Sequence, residues 1–416
     1  MGTRRRADRG QVEQRLLILV TLGLVAFGLV MVFSATSASA TLGEGDPMRF
    51  LVKQGMYAVV GLVLLAVLSR VDYHLLRPLA PMLLMIALGL CAAVLVVAPA
   101  INGAHRWFVF GPVSVQPAEL AKLAVCIWVC AVLARRPVPR DLGELLKPVG
   151  LVVALFCALI VVEPDLGTTI ALAVMVSGIL LVSGIPLRLY VLATTLALGA
   201  GALAIYMEPY RRARLLSFLD PWKDAEGAGF QNVQAIIGMG SGGITGEGLG
   251  QGIQKVNFLP EAHTDMIFAV VGEELGLIGS TLLIGGFAAF AWVGFRVALE
   301  CRDPFGKRLA AGITTLVCGQ AAVNLAAVLG LAPLTGIPLP FVSYGGSSLL
   351  VMLSGVGVLL NIAVNERVVQ ARVRDSGRGN GRPRASGARG RGGAARTRSD
   401  GDVRRHARPR RVAAGA

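Results

Sequence analysis

Apolar stretches long enough to cross a membrane recur from one end of this chain to the other, and they constrain its fold more than any other feature. They lie at roughly 16–35, 51–69, 79–98, 117–134, 149–163, 166–184, 188–207, 266–295, 308–331 and 342–364, with ends placed to within several residues. A helix rises about 1.5 Å per residue, so about 20 residues cross a hydrocarbon core about 30 Å thick. Charged residues make up only 16% of the chain and hydrophobic ones 54%, whereas a soluble domain is about a quarter charged. The pattern predicts an all-α integral membrane protein of about ten transmembrane helices and argues against a water-soluble globular domain.

Orientation follows from the basic residues. Arg4, Arg5, Arg6, Arg9 and Arg15 precede the first stretch, and Arg70 and Arg77 follow the second. Arg135, Arg136 and Arg140 follow the fourth, Arg188 the sixth, and Arg296, Arg302, Lys307 and Arg308 the eighth. Every even gap is basic, which puts both termini in the cytoplasm. The chain therefore divides into a basic cytoplasmic N-terminus (1–15), a ten-helix body (16–364) and a tail (365–416). The body carries one large extracytoplasmic loop, 208–264, between helices 7 and 8. Arg4 to Arg6, an apolar stretch and Ala38-Ser39-Ala40 imitate a secretory signal. The stretch has full spanning length, however, and its removal would spoil the even helix count that the basic tail requires.

The net charge of +15 comes mostly from that tail, which holds 15 Arg against three Asp from Arg367 onward. Rich in Gly, Arg, Ala, Ser and Pro, it is expected to be disordered and held near anionic lipid headgroups. Its spacing resembles that of RNA-binding tails, but no nucleic-acid partner is expected. Of the six cysteines, Cys91, Cys126, Cys130, Cys157 and Cys318 lie in apolar runs and Cys301 in a basic loop. Neither a disulfide framework nor a metal cluster is expected from them.

Charged residues inside spans are default candidates for function. Glu119 and Lys122 stand at i and i+3 on one face of the fourth helix, either as a packing ion pair or as part of a site. Arg106 and Trp107 precede that helix in an outer loop, where belt anchoring is the plain alternative. Asp165, in Glu163-Pro164-Asp165, is placed to cap the next helix. The large loop brings Arg211, Arg212 and Arg214, a glycine-rich run from Gly240 to Gly250, and Lys255 ahead of Leu259 to Asp265. Such a set suits a phosphate-bearing ligand. Gly238, Gly240 and Gly243 match a dinucleotide pattern, but no strand precedes them. Asp265 sits where the loop re-enters the membrane. Partial desolvation there makes it a better proton acceptor than a surface Asp, and helix capping is the alternative that needs no such role.

Gln254-Lys255, Leu259 to Asp265, Glu273 to Gly276, Asn102 to Trp107, Gln116 to Lys122 and Pro338 to Ser348 occur together and in order. They resemble the SEDS family of cell-wall polymerases from about Gly28 to Ile362. Phe218 to Trp222, Glu226 to Gln231 and Gly248 to Lys255 look like the division-type FtsW branch, while Thr335 to Phe341 leans toward the elongation branch, RodA.

The resemblance implies a glycosyltransferase that polymerises lipid II into β-1,4-linked glycan strands at the outer face of the membrane and releases undecaprenyl pyrophosphate. Asp265 matches the family's catalytic aspartate. Arg106, Lys122, Arg211, Arg214 and Lys255 are the candidate pyrophosphate ligands, and Trp107, Glu119, Glu261, His263, Thr264 and Ser343 are further substrate-binding candidates. No metal ligands are assigned, and Mg²⁺ or Mn²⁺ is an optional cofactor. Implied partners are a class B penicillin-binding transpeptidase and the division proteins. A lipid II flippase using Glu119 and Lys122, a noncatalytic division scaffold and an elongation polymerase are the competing readings.

Overall fold

The computed structural model describes residues 2–41, 47–99, 104–111, 113–227, 229–256 and 259–379. The ten apolar stretches all fold as helices. Nine have spanning length and hydropathy among the described residues: α1 (Gly2–Thr41), α2 (Pro47–Leu68), α3 (Leu76–Val97), α4 (Pro117–Arg135), the joined turn α5 (Leu142–Leu145) and α6 (Leu151–Val162), α8 (Leu187–Met207), α11 (Ile267–Glu300), α12 (Pro304–Val328) and α13 (Gly346–Gly379). The tenth, α7 (Leu166–Val182), has 17 residues, at the short end of what crosses a bilayer. Between α8 and α11 the large loop forms α9 (Pro209–Leu219) and α10 (Phe230–Ser241).

One small element departs from an all-helical chain. Strands β1 (Phe108–Phe110) and β2 (Val113–Val115) pair antiparallel, with Phe108 opposite Val115, in the connection before α4. The Tyr57 hydroxyl accepts from the Ser114 amide at 2.9 Å. Ser347 donates to the Ser114 carbonyl at 3.0 Å, so the hairpin is tied to α2 and α13. Residues 100–103, which include Asn102, and the tail from 380 onward lie outside the described residues. The tail expected to be disordered over 365–416 begins instead as helix, because α13 continues to Gly379, and the rest of it falls outside the described residues.

α12 packs against α4, α7 and α11. Lipid tails are as apolar as leucine, so helices in a bilayer associate through close packing of small residues and through interhelical polar groups. The inner helices carry both. Ala118, Ala121 and Ala124 on α4 and Ala310, Ala311 and Ala321 on α12 are buried, as are Glu119, Lys122, Gln320 and Asn324. By contrast α8, which offers leucine and alanine without a buried polar side chain, has 6% of its membrane window buried against 83% for α13.

α11 is broken on the outer side. Gly276 has φ +62° and ψ −157°, left-handed backbone that a side chain would strain. A Cβ there would also meet the Ile244 carbonyl oxygen at 2.6 Å. The break frees backbone groups at membrane depth, where each unsatisfied group is costly. Segment 243–248 supplies their partners. The amides of Glu247 and Gly248 donate to the carbonyls of Glu273 and Glu274, both at 3.0 Å, and those of Leu277 and Ile278 donate to Gly243 at 3.0 Å and Ile244 at 3.2 Å. The glycine-rich run read as suiting a phosphate therefore uses this part of its backbone to complete a discontinuous helix.

Candidate active site

The turn that leads into α11 carries the candidate base. Glu261 opens it at φ +54°, and the Thr264 amide donates back to the Glu261 carbonyl at 3.0 Å. The Thr264 hydroxyl lies 3.0 Å from Glu261 Oε2 and 3.3 Å from Asp265 Oδ1, so one donor is shared by two carboxylates. Asp265 is only 8% exposed. Burial pushes its pKa from 3.8 to about 6; repulsion from Glu261 adds to the rise, while Arg214 and the Thr264 hydroxyl oppose it. Asp265 thus titrates near neutrality, where a carboxylate is a competent proton acceptor. Burial holds His263 below the ordinary imidazole range, with Glu261 opposing. Its ring packs edge-on against Phe50 of α2 at 5.1 Å and lies 5.4 Å from Tyr344.

Arg214 of α9 faces the same carboxylate. Both lie near Gly336: a Cβ built on it would stand 3.9 Å from Asp265 Oδ2 and 4.0 Å from Arg214 Nη1, and its φ of +70° suits glycine. Arg214 acts on Asp265 through space, and among the described residues the two form no ion pair. Arg214 makes one long hydrogen bond, 3.5 Å to the Leu334 carbonyl, and lies 5.0 Å over the Tyr210 ring.

The other cations are tied more closely to the protein. Arg106 donates to the carbonyls of Glu163 at 2.6 Å and Pro164 at 2.5 Å. Arg211 donates to Val161 at 2.7 Å and Ala204 at 3.1 Å, which are unpaired carbonyls near helix ends. Lys255 pairs with Glu274 at 2.6 Å, and Ser34 of α1 donates to the same carboxylate. Lys122 pairs with Glu119 at 2.7 Å, fully buried, and donates to Gln320 Oε1 at 2.7 Å. Asp265, Glu261, Thr264, His263 and Arg214 are thus brought together. Lys122 and Lys255 sit in separate buried pairs.

This geometry can be set beside known proteins. A family model described as cell cycle protein, for FtsW, RodA and SpoVE, matches residues 14–368. The chain is a member of the SEDS family. The probable peptidoglycan glycosyltransferase FtsW of Geobacter metallireducens is 40% identical over 350 residues, covering 83% of this chain and 93% of that relative. Stage V sporulation protein E of Bacillus subtilis is 37% identical over 352 residues, covering 84% and 96%. Among solved structures, a peptidoglycan synthase complex studied for the coordination of polymerization and crosslinking aligns at TM-score 0.70 with 32% identity, covering 84% of this chain and 97% of that one. The rod shape determining protein RodA of Thermus thermophilus aligns at 0.63 with 29% identity, covering 84% and 96%.

Within this SEDS chain the remaining motif residues have defined neighbours. The Ser343 hydroxyl accepts from the Leu339 amide at 2.8 Å, and Gln54 donates to the Ser343 carbonyl at 3.1 Å, so Ser343 ties the 338–344 loop together and to α2. Trp107 is half-buried beside β1. Asp165 caps α7 through the Thr168 amide at 2.9 Å and also accepts from Gln116 at 2.9 Å, so capping is only part of its role. Glu273 accepts from the amides of Ile253 at 2.6 Å and Gln254 at 3.0 Å, which anchors the end of the loop on α11.

Two residues that touch this site were not singled out in the sequence. The Asn324 amide donates to the Asp265 carbonyl at 2.8 Å and to Ile337 at 2.9 Å. Gln320 donates to Pro338 at 2.9 Å. Both are amides inside the apolar stretch 308–331, four residues apart, and that polarity and spacing were the available signal.

Proposed function

We propose that this chain is a peptidoglycan glycosyltransferase of the division type, which polymerises lipid II at the outer face of the cytoplasmic membrane. One observation carries the reading: Asp265, raised to about 6, and Arg214 come together beside Gly336 at the outer end of α11. In the reaction an acceptor sugar hydroxyl attacks the donor's anomeric carbon. The new glycosidic C–O bond forms as the bond to pyrophosphate breaks, and the hydroxyl proton passes to the Asp265 carboxylate. Undecaprenyl pyrophosphate leaves with the electron pair as a stable anion, so one carboxylate suffices for a single inverting displacement. Arg214 stands where it can offset charge developing on the leaving group. Among the described residues no three His, Cys, Asp or Glu side chains are grouped as metal ligands.

Relatives named FtsW, 40% identical over most of the chain, support the division branch. The match to a synthase complex supports a transpeptidase partner, and division proteins and anionic lipids at the basic tail complete the expected contacts. The decisive experiment compares glycan formation from lipid II by purified wild type and Asp265→Asn, each with its transpeptidase. Polymer from wild type alone is expected. Equal polymer from both removes Asp265 from the chemistry, and translocation without polymer favours a flippase. Fluorescent tagging in cells tests the branch: septal rings are expected, and dispersed sidewall foci overturn it.

A further inference from the structure

We propose that Gln320 and Asn324 are positioning residues of the transferase site, and that the buried Glu119–Lys122 pair acts on the reaction through Gln320 rather than by touching substrate. The proposal rests on the reading of Asp265 as the base.

The two amides stand four residues apart on α12, one above the other on a single face. They hold consecutive carbonyls of one loop: Asn324 donates to Ile337 at 2.9 Å and Gln320 to Pro338 at 2.9 Å. Asn324 reaches the Asp265 carbonyl with the same nitrogen, at 2.8 Å. One side chain thus fixes the backbone of the candidate base relative to the loop containing Gly336, the residue near both Asp265 and Arg214. On the other side, Gln320 Oε1 accepts from Lys122 Nζ at 2.7 Å, which in turn pairs with Glu119 at 2.7 Å.

The chemistry of the partners fixes both amide orientations. An ammonium only donates, so the Gln320 oxygen faces Lys122 and its nitrogen faces Pro338. Two carbonyls only accept, so the Asn324 nitrogen faces them. All four side chains are buried: Lys122 and Gln320 at 0% and Glu119 and Asn324 at 2% exposure. A lysine so enclosed, with its ammonium bonded to Glu119 and Gln320, is built to hold a neighbour. A lipid-borne pyrophosphate is held by cations that it can reach.

The test is steady-state polymerisation of lipid II by the full chain with its transpeptidase, comparing wild type with Asn324→Asp, Gln320→Met and Asp265→Asn. Asn324→Asp places an acceptor against two carbonyls, and Gln320→Met removes one clamp in an apolar, similarly shaped side chain. Both are expected to lower kcat about 10- to 100-fold, as small misplacements of a reacting group do, with KM within about twofold. Both should also move the acidic limb of the kcat/KM profile, which a loss of packing alone leaves in place.

A double-mutant cycle tests the link to α4. Glu119→Gln with Lys122→Met is expected to cost far less in the Gln320→Met background than in wild type. Raised KM at unchanged kcat, an unmoved pH limb or full additivity in the cycle overturns the proposal. So does failure of both amide variants to give monodisperse protein, which would assign the pair to the core. Asp265→Asn separates the two readings: wild-type polymer from it sinks the base itself, whatever the amide variants do.

Discussion

Lys255 and Glu274 form an ion pair of 2.6 Å in which the side chains are 2% and 0% exposed. The Ser34 hydroxyl lies 2.6 and 2.7 Å from the two carboxylate oxygens, so the pair joins the outer loop, α11 and α1 at one point. A buried pair stabilises less than its Coulomb energy suggests, but removing one partner leaves a desolvated charge.

That asymmetry yields a prediction. Lys255→Met is expected to destabilise the detergent-solubilised protein by about 3–5 kcal/mol, and adding Glu274→Gln should recover most of the loss. Thermal unfolding of the three proteins checks it. If Lys255 instead served mainly as a surface ligand for pyrophosphate, Lys255→Met would raise KM with an unchanged melting temperature.

A second prediction concerns the pH dependence of the transferase. The free-enzyme profile of kcat/KM should fall on the acid side with a midpoint near 6, the value that burial and Glu261 impose on Asp265. Arg214 lowers that pKa and Glu261 raises it. The midpoint should therefore move up in Arg214→Ala and down in Glu261→Gln. Shifts in the opposite directions would show that another group titrates.

Glu163 offers a third, on stability rather than rate. It is 0% exposed, and among the described residues neither carboxylate oxygen has a hydrogen-bond partner. Burial raises its pKa from 4.5 to about 8, with Asp165 adding to the rise and Arg106 opposing it. Between these two values the folded state keeps a proton that the unfolded chain has released, so this residue's contribution to stability declines as pH rises through the window. Wild type should lose more thermal stability than Glu163→Gln from about pH 5 to about pH 8. Parallel melting curves across that range would refute the unpaired buried acid.

The sequence by itself determined the membrane body, its orientation, the single large outer loop and the place of Asp265 at the loop's re-entry. Hydropathy and charge along a span are local and nearly additive, so they survive without knowledge of the packing. The start of α7 at Leu166 and its Asp165 cap were legible too, and the structure shortens only the far end of the stretch, to Val182.

What only the tertiary structure decided is which charges face one another. Lys122 meets Gln320 across 198 positions and Asn324 meets the Asp265 carbonyl across 59, distances at which no spacing rule operates. Arg211 and Arg214 are near neighbours on α9, yet one satisfies helix-end carbonyls and the other faces the candidate base. The break at Gly276 likewise exists only because segment 243–248 satisfies the backbone it frees. In a desolvated interior a polar group is defined by the partner that packing brings to it, and that partner is a property of the fold rather than of the neighbouring sequence.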